Sequence, residues 1–255
     1  MVGSGNCRNC NAWASRQRQP MRDVLGSRCP FPQLASRVTI GRGETLYHQG
    51  DRVSGSFSLA SGMVALERVD ENGALVILKI LQPGAFFPCS NLLGEALHET
   101  SARALTDVTG CFVPVERLSA ALREDPSVSM ALLRLSSAEI REHEETIFRL
   151  YSTDLPDRVL TALMTLADEM GAREINGDIT LTLPISWRDM AAMVGTGPEV
   201  ISRLLRRLSN AGRISFRGRK VTLHHAAADK VARDGALRLV HRRQGDVKSG
   251  TLSRG

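Results

Sequence analysis

Aromatic residues are scarce: 7 Phe, 2 Trp and 2 Tyr make up 4% of the 255 residues. So few rings exclude a surface on which successive bases of a single strand stack, because each base needs a ring partner. No apolar run approaches the roughly 18–20 residues that a membrane helix needs, so no membrane partner is expected. The opening Met1-Val2-Gly3-Ser4-Gly5-Asn6 lacks the basic start and apolar stretch of a secretory signal, and a cytoplasmic location is expected. Cysteine is also sparse, and its odd number, 5, does not fit a disulfide framework.

What is abundant is positive charge, and it is unevenly placed. Net charge is +6. From Pro184 to the end there are 15 Lys+Arg against 5 Asp+Glu, a balance of +10, while the preceding 183 residues hold 18 against 22, a balance of −4. Setting aside Arg242, Arg243, Lys248 and Arg254, in a segment expected to be a disordered tail, the last part still carries +6. A basic final third on a mildly acidic body is the electrostatic footprint of a nucleic-acid module. The remaining composition, 42% apolar and 24% charged, is that of an ordinary globular chain long enough for two cores.

Five stretches follow along the chain. Residues 1–37 are polar and Arg-rich, an irregular arm that carries Cys7, Cys10 and Cys29. Residues 38–124 change to short apolar runs: Thr45–Tyr47, Ser56–Leu59, Met63–Val69, Leu75–Leu81, Ala102–Leu105 and Cys111–Val115. Glycine turns separate them, and Asn72-Gly73 between alternating runs is a hairpin signal. Strands at such regular spacing predict a small barrel or β-roll. Residues 125–153 read as a long helix and hinge, with Asp125 as N-cap and Pro126 at the first helical position. There Leu133, Ile140 and Ile147 recur every seven residues, and Arg141, Glu142, Glu144 and Glu145 fill other faces. That seam predicts a homodimer interface, while the period fits equally well a face packed on the chain's own barrel. His143 falls on the same seam, where protonation would set two charges face to face, or else it is a partly exposed rim residue. Residues 154–226 form a helical DNA-binding domain, and 227–255 a basic tail. The expected class is α+β.

The DNA-binding domain has an internal order that a solvated helix face alone does not explain. A short helix, Trp187–Val194, follows Ser186 and stops at Gly195; a second begins at Gly197-Pro198 and runs Glu199 to Asn210. Two short helices joined by a glycine turn make a helix-turn-helix. In the second, Ile201, Leu204, Leu205 and Leu208 form an inner stripe, which puts Glu199, Ser202, Arg203 and Arg206 on the opposite face. Arg203 suits a bidentate bond to guanine, Glu199 can accept from cytosine, and Ser202 suits a base or a phosphate. Two short strands, Ile214–Phe216 and Lys220–Leu223, then flank a turn to make a wing that offers Arg217, Arg219 and Lys220 to phosphates.

This order of strand-rich domain, long helix and Glu199-Val200-Ile201-Ser202-Arg203-Leu204-Leu205 resembles the CRP/FNR family of bacterial transcription regulators, from about Val38 to Leu223. The resemblance implies an N-terminal β-roll sensor of the cyclic-nucleotide-binding type, a long dimerisation helix and a C-terminal winged helix-turn-helix. It implies a regulator that is not an enzyme, and it makes double-stranded DNA, RNA polymerase and a second copy the partners. Glu-x-x-Ser-Arg is similar to the FNR branch, which implies inverted repeats with TTGAT-like half-sites. Pro198 departs from the cyclic-AMP branch, which carries arginine there.

The same family leaves the effector open. Cyclic nucleotides need a Gly-Glu pair and an Arg-Ser/Thr-Ala, whereas here Gly84-Ala85-Phe86-Phe87-Pro88-Cys89 is followed by Thr100-Ser101-Ala102-Arg103. A buried phosphate with no paired cation is costly, so this effector is disfavoured. The segment from Thr100 to Pro114 resembles that around the late cysteine of FNR-type oxygen sensors, and Cys111 falls on that cysteine. Cys7-x2-Cys10 and Cys29 then look like the N-terminal group, giving four thiolates for a [4Fe–4S] cluster. The 18 residues between Cys10 and Cys29 exceed the family spacing, which leaves Cys89 as a substitute ligand or a buried core thiol. Haem is the alternative cofactor, with His48 and His98 as β-roll ligands. A constitutive DNA-binding protein without cofactor and a CxxC redox enzyme are the remaining readings.

Overall fold

The computed structural model describes residues 35–89, 97–170 and 172–225. The chain divides into two units, Met1–Phe148 and Arg149–Gly255.

Among the described residues of the first unit, eight strands form two antiparallel sheets. They are β1 (Ser36–Ile40), β2 (Thr45–Tyr47), β3 (Gly55–Ser61), β4 (Val64–Val69), β5 (Leu75–Leu81), β6 (Phe86–Phe87), β7 (Ser101–Ala104) and β8 (Val108–Pro114). One sheet runs β1-β8-β3-β6 and the other β2-β7-β4-β5. Their inner faces share one core of Tyr47, Leu59, Val64, Leu81, Phe87, Ala102, Ala104 and Val108, with Ile40 of β1 packed against it, so all of these strands contribute. Side chains alternate along a strand, and Phe86-Phe87 shows the consequence. Phe87 enters the inter-sheet core. Phe86 turns outward to a second core with Cys89, Val113, Leu118, Ala131 and Leu135.

Two helices cover that outer face: α1 (Val115–Glu124) and α2 (Pro126–Ser152). Asp125 caps α2 as the sequence predicts, accepting from the Ser127 amide at 2.8 Å and its hydroxyl at 2.7 Å. These bonds favour the carboxylate and hold Asp125 below its ordinary pKa. Val128, Ala131 and Leu135 bury one face of α2 against the β-roll. Leu133, Ile140 and Ile147 stand 61%, 59% and 55% exposed on another, with Met130 beside them. The helix thus packs one face on its own barrel and turns the heptad face outward.

The structure departs from the sequence reading of the β-roll chiefly at the ends of its elements. Val115, read as the end of a strand, starts α1, whose N-cap Pro114 offers no side-chain bond and so no start signal. The Asn72-Gly73 hairpin, by contrast, is present with the five-residue loop that the runs ending at Val69 and starting at Leu75 leave, and it closes through Asp70, whose side chain accepts from the Asn72 and Ala74 amides. Strand β1 begins at Ser36, two residues ahead of the expected boundary.

Candidate nucleic-acid interface

The second unit starts with α3 (Leu155–Met170), capped by Asp154, which accepts from the Asp157 amide at 2.9 Å. Val159, Leu160, Leu163 and Leu166 are fully buried and seat the helices that follow. A hairpin, β9 (Arg173–Ile175) and β10 (Asp178–Thr182), comes next, and its turn has both Asn176 and Gly177 at positive φ. The sequence reading missed this hairpin, although Asn-Gly is a two-residue turn signal of the type that demands positive φ twice.

Helix α4 (Trp187–Val194) has the bounds the sequence gives it. Ser186 and Asp189 form a reciprocal capping box, the Ser186 side chain accepting from the Asp189 amide and the Asp189 carboxylate from the Ser186 amide. The helix stops at Gly195, whose φ of 71° and ψ of 48° are left-handed and favour glycine. Helix α5 (Pro198–Asn210) follows, with Pro198 at its first turn. Ile201, Leu204, Leu205 and Leu208 are buried against α4 and the sheet, as the stripe requires. Glu199, Ser202, Arg203 and Arg206 are all exposed. The face assigned to base reading therefore stands clear of the protein, and its N-terminal half is where a recognition helix meets base edges.

The wing is β11 (Ile214–Arg217) and β12 (Lys220–Leu223), which join β10 and β9 in the sheet order β11-β12-β10-β9. Arg217 pairs with Lys220, so the turn is the two residues Gly218-Arg219 rather than three. Arg217, Arg219 and Lys220 are exposed at this tip. Arg213 has a different task, since its guanidinium lies 3.4 Å from Asp157 and ties β11 to the start of α3. Trp187, unassigned from sequence, reaches the wing: its Nε1–H donates to the Gly218 carbonyl at 2.8 Å. Its ring meets Phe216 edge-on, centroids 5.8 Å apart. The Leu183 amide donates to the Arg219 carbonyl, also at 2.8 Å.

The sensor residues sit in the other unit. Cys111 is half-buried on the outer face of β8, in register between Arg37 of β1 and Ser58 of β3. Cys89 is buried in the helix-side core, and its thiol donates to the Phe86 carbonyl at 3.1 Å. Burial, with Glu139 nearby, pushes its pKa far above the ordinary thiol range. Cys7, Cys10 and Cys29 lie outside the described residues, as does the tail beyond His225. Among the described residues no three His, Cys, Asp or Glu side chains are grouped to hold a metal ion. His98 is buried, stacked on Tyr47 at 3.7 Å, and burial lowers its pKa against the pull of Asp51. His48 and the seam residue His143 are exposed. Arg103 is committed to Glu67, its Nε 3.0 Å and 3.1 Å from the two carboxylate oxygens. Among the described residues no helix is long and apolar enough to cross a membrane.

Known proteins agree with this layout. Residues 37–125 match the cyclic nucleotide-binding domain family, and residues 157–228 the Crp-like helix-turn-helix domain family. The global nitrogen regulator of Nostoc sp. is 30% identical over 196 residues, 76% of this chain and 86% of that protein. The transcriptional activator protein FnrA of Stutzerimonas stutzeri is 28% identical across 71% of this chain and 74% of its own. A crystal structure of a CRP/FNR-family transcriptional regulator from Thermus thermophilus superposes with a TM-score of 0.65 at 26% identity, covering 77% of this chain and 98% of that one. With a β-roll, a long helix and a winged helix-turn-helix in that order, this chain belongs to the CRP/FNR family of DNA-binding transcription regulators.

Proposed function

We propose that this regulator is a homodimer that reads an inverted repeat of TTGAT-like half-sites and answers to redox state or a reactive gas through a [4Fe–4S] cluster held by Cys7, Cys10, Cys29 and Cys111. RNA polymerase is its partner at the promoter. The observation that carries the sensory part is the position of Cys111. It shares the outer face of β8 with Val113, and Val113 packs in the core to which Ala35 belongs. Cys29 precedes Ala35 by six residues, a stretch that spans at most about 20 Å, so chain length alone permits Cys29 to approach the β8 side of the β-roll.

The donor chemistry fits such a cluster, which takes four thiolates and supplies iron–sulfide bonds that oxidants break. Cys111 would hold it from the β-roll and the three arm cysteines from the other side. Cys89 is a poor thiolate, because burial in an apolar core disfavours its charged form. The charge around the β-roll supports this over a cyclic nucleotide. A cavity of about 380 Å³ between β5 and α2 is lined by Lys79, Cys89, Glu139 and Glu142 among others. Lys79, the one cation among its described lining residues, already pairs with Glu142 at 2.7 Å, so an anionic ligand there would face Glu139 and Glu142 without a spare cation. Neither His48 nor His98 lines that cavity, which weakens the haem reading.

Anaerobic reconstitution of the five single Cys→Ser variants tests the assignment. Cys7, Cys10, Cys29 and Cys111 variants should lose visible charge-transfer absorbance and bound iron, and Cys89→Ser should retain both. Loss in Cys89→Ser with retention in Cys29→Ser would redraw the ligand set. Absence of iron from the unaltered protein would remove the cluster and leave the DNA reader.

A further inference from the structure

We propose that Trp187 is the positioning residue that clamps the wing to the helix-turn-helix, so that recognition helix and wing cations meet the duplex as one preset unit. This rests on the DNA-binding function alone and is independent of what the β-roll senses.

The clamp is built from the first residue of α4 outward. The Ser186–Asp189 capping box fixes the start of that helix and with it the backbone of Trp187. From there the indole N–H, a donor with no acceptor role, is bonded to the Gly218 carbonyl. The second turn residue is held as well, its Arg219 carbonyl bonded to the Leu183 amide. Both central carbonyls of the wing turn are thus tied to the segment that opens α4. The wing strands are held by the four-stranded sheet, with β12 paired to β10 as far as Thr182–Lys220, but the two turn residues lie beyond that ladder, where carbonyls ordinarily face water. Of the two ties only the indole is a side chain, so it alone is set by the choice of residue at that position.

Burial of apolar surface does not account for Trp187. Met190, Ala191 and Val194 do the core work of α4 and are fully buried, while Trp187 is half-buried and its ring partner Phe216 is 37% exposed. Edge-to-face contact between two partly exposed rings contributes directional rigidity more than burial. What that rigidity holds in place is the tip carrying Arg217, Arg219 and Lys220. A tip that swings must be ordered at each encounter with DNA, and a tip fixed beforehand avoids that cost.

The test uses the full-length dimer, with titrations on matched and scrambled duplexes at several salt concentrations. Trp187→Phe keeps a ring against Phe216 and removes the donor, and Trp187→Ala removes both. Trp187→Phe should weaken both duplexes alike, by about three- to tenfold for one lost hydrogen bond. The slope of log affinity against log salt should flatten by about one for each phosphate that the wing no longer neutralises. Base preference should not move. In a chain with Arg217, Arg219 and Lys220 all changed to Ala, adding Trp187→Phe should have no further effect on affinity. Thermal melting without DNA identifies any variant that fails to fold, and Trp187→Phe, lacking one hydrogen bond of the folded chain, is expected to melt only about 2–4 °C below the unaltered protein. Unchanged affinity and salt slope in Trp187→Phe overturns the proposal. So does a loss confined to the matched duplex, or one that persists in the chain without wing cations. Arg203→Ala, run alongside, reports on the base reader itself, so failure of the clamp and failure of the DNA-binding surface give different results.

Discussion

Changing Ile140 to Glu on the exposed face of α2 tests whether that face is where two copies meet. Ile140 is 59% exposed in the single chain. Burying a whole isoleucine side chain is worth about 1.5–3 kcal/mol, so covering the exposed part is worth roughly 0.9–1.8 kcal/mol. A two-fold interface uses the residue twice, which gives about 2–3.5 kcal/mol per dimer from lost burial alone. That weakens dimerisation by about twentyfold to four-hundredfold, before counting the cost of bringing two carboxylates into the seam. Leu133 and Ile147, one heptad to either side, would be left facing a loosened partner. Sedimentation over a range of concentrations should show a monomer where the unaltered protein is a dimer. Affinity for an inverted repeat should fall towards the non-specific level, because one recognition helix contacts too few base pairs to discriminate. An Ile140→Glu chain with an unchanged dimer constant would remove this face from the interface, whatever its pattern suggests.

Arg203→Ala should cost about 1–3 kcal/mol on a matched duplex and relax preference at one base position. Arg219→Ala at the wing should weaken all duplexes alike and flatten the salt slope by about one, as read in the same titrations. His98 answers to acid. Because burial holds its pKa below 6.5, the ring is neutral in the folded β-roll and protonation favours the unfolded chain. Stability is therefore whole above pH 6.5 and declines as the pH falls below it. His98→Phe, which keeps a ring against Tyr47, should flatten that decline in thermal melts taken from neutral pH downward.

Legibility in the sequence followed the range of the interactions. Strand β5 and helix α4 have the bounds their sequences indicate, because alternation, a capping serine and a terminal glycine are all local signals. The exposed face of α5 was legible for the same reason, since a period of 3.6 separates inner from outer residues without knowledge of what lies opposite. Helix α1 was hidden because Pro114 starts it without a side-chain cap. Strand β6 is two residues long, too short for a pattern to repeat. The bond from Trp187 to Gly218 joins positions 31 apart, and no periodicity reports such a pairing. Cys89 was legible only as a substitute ligand or a buried core thiol, and its burial shows in the packing of Phe86, Leu118 and Leu135 around it.

The Glu67–Arg103 pair has an evolutionary consequence. Both side chains are largely enclosed, 12% and 25% exposed, on neighbouring strands β4 and β7. Losing either alone leaves an enclosed charge without its counterpart, which is strongly destabilising, whereas replacing both by apolar residues can be neutral. The two positions are therefore epistatic, and a descendant lineage leaves this state by a paired change or through an unstable intermediate. Redesign of this part of the β-roll would therefore do better to randomise positions 67 and 103 together than one at a time.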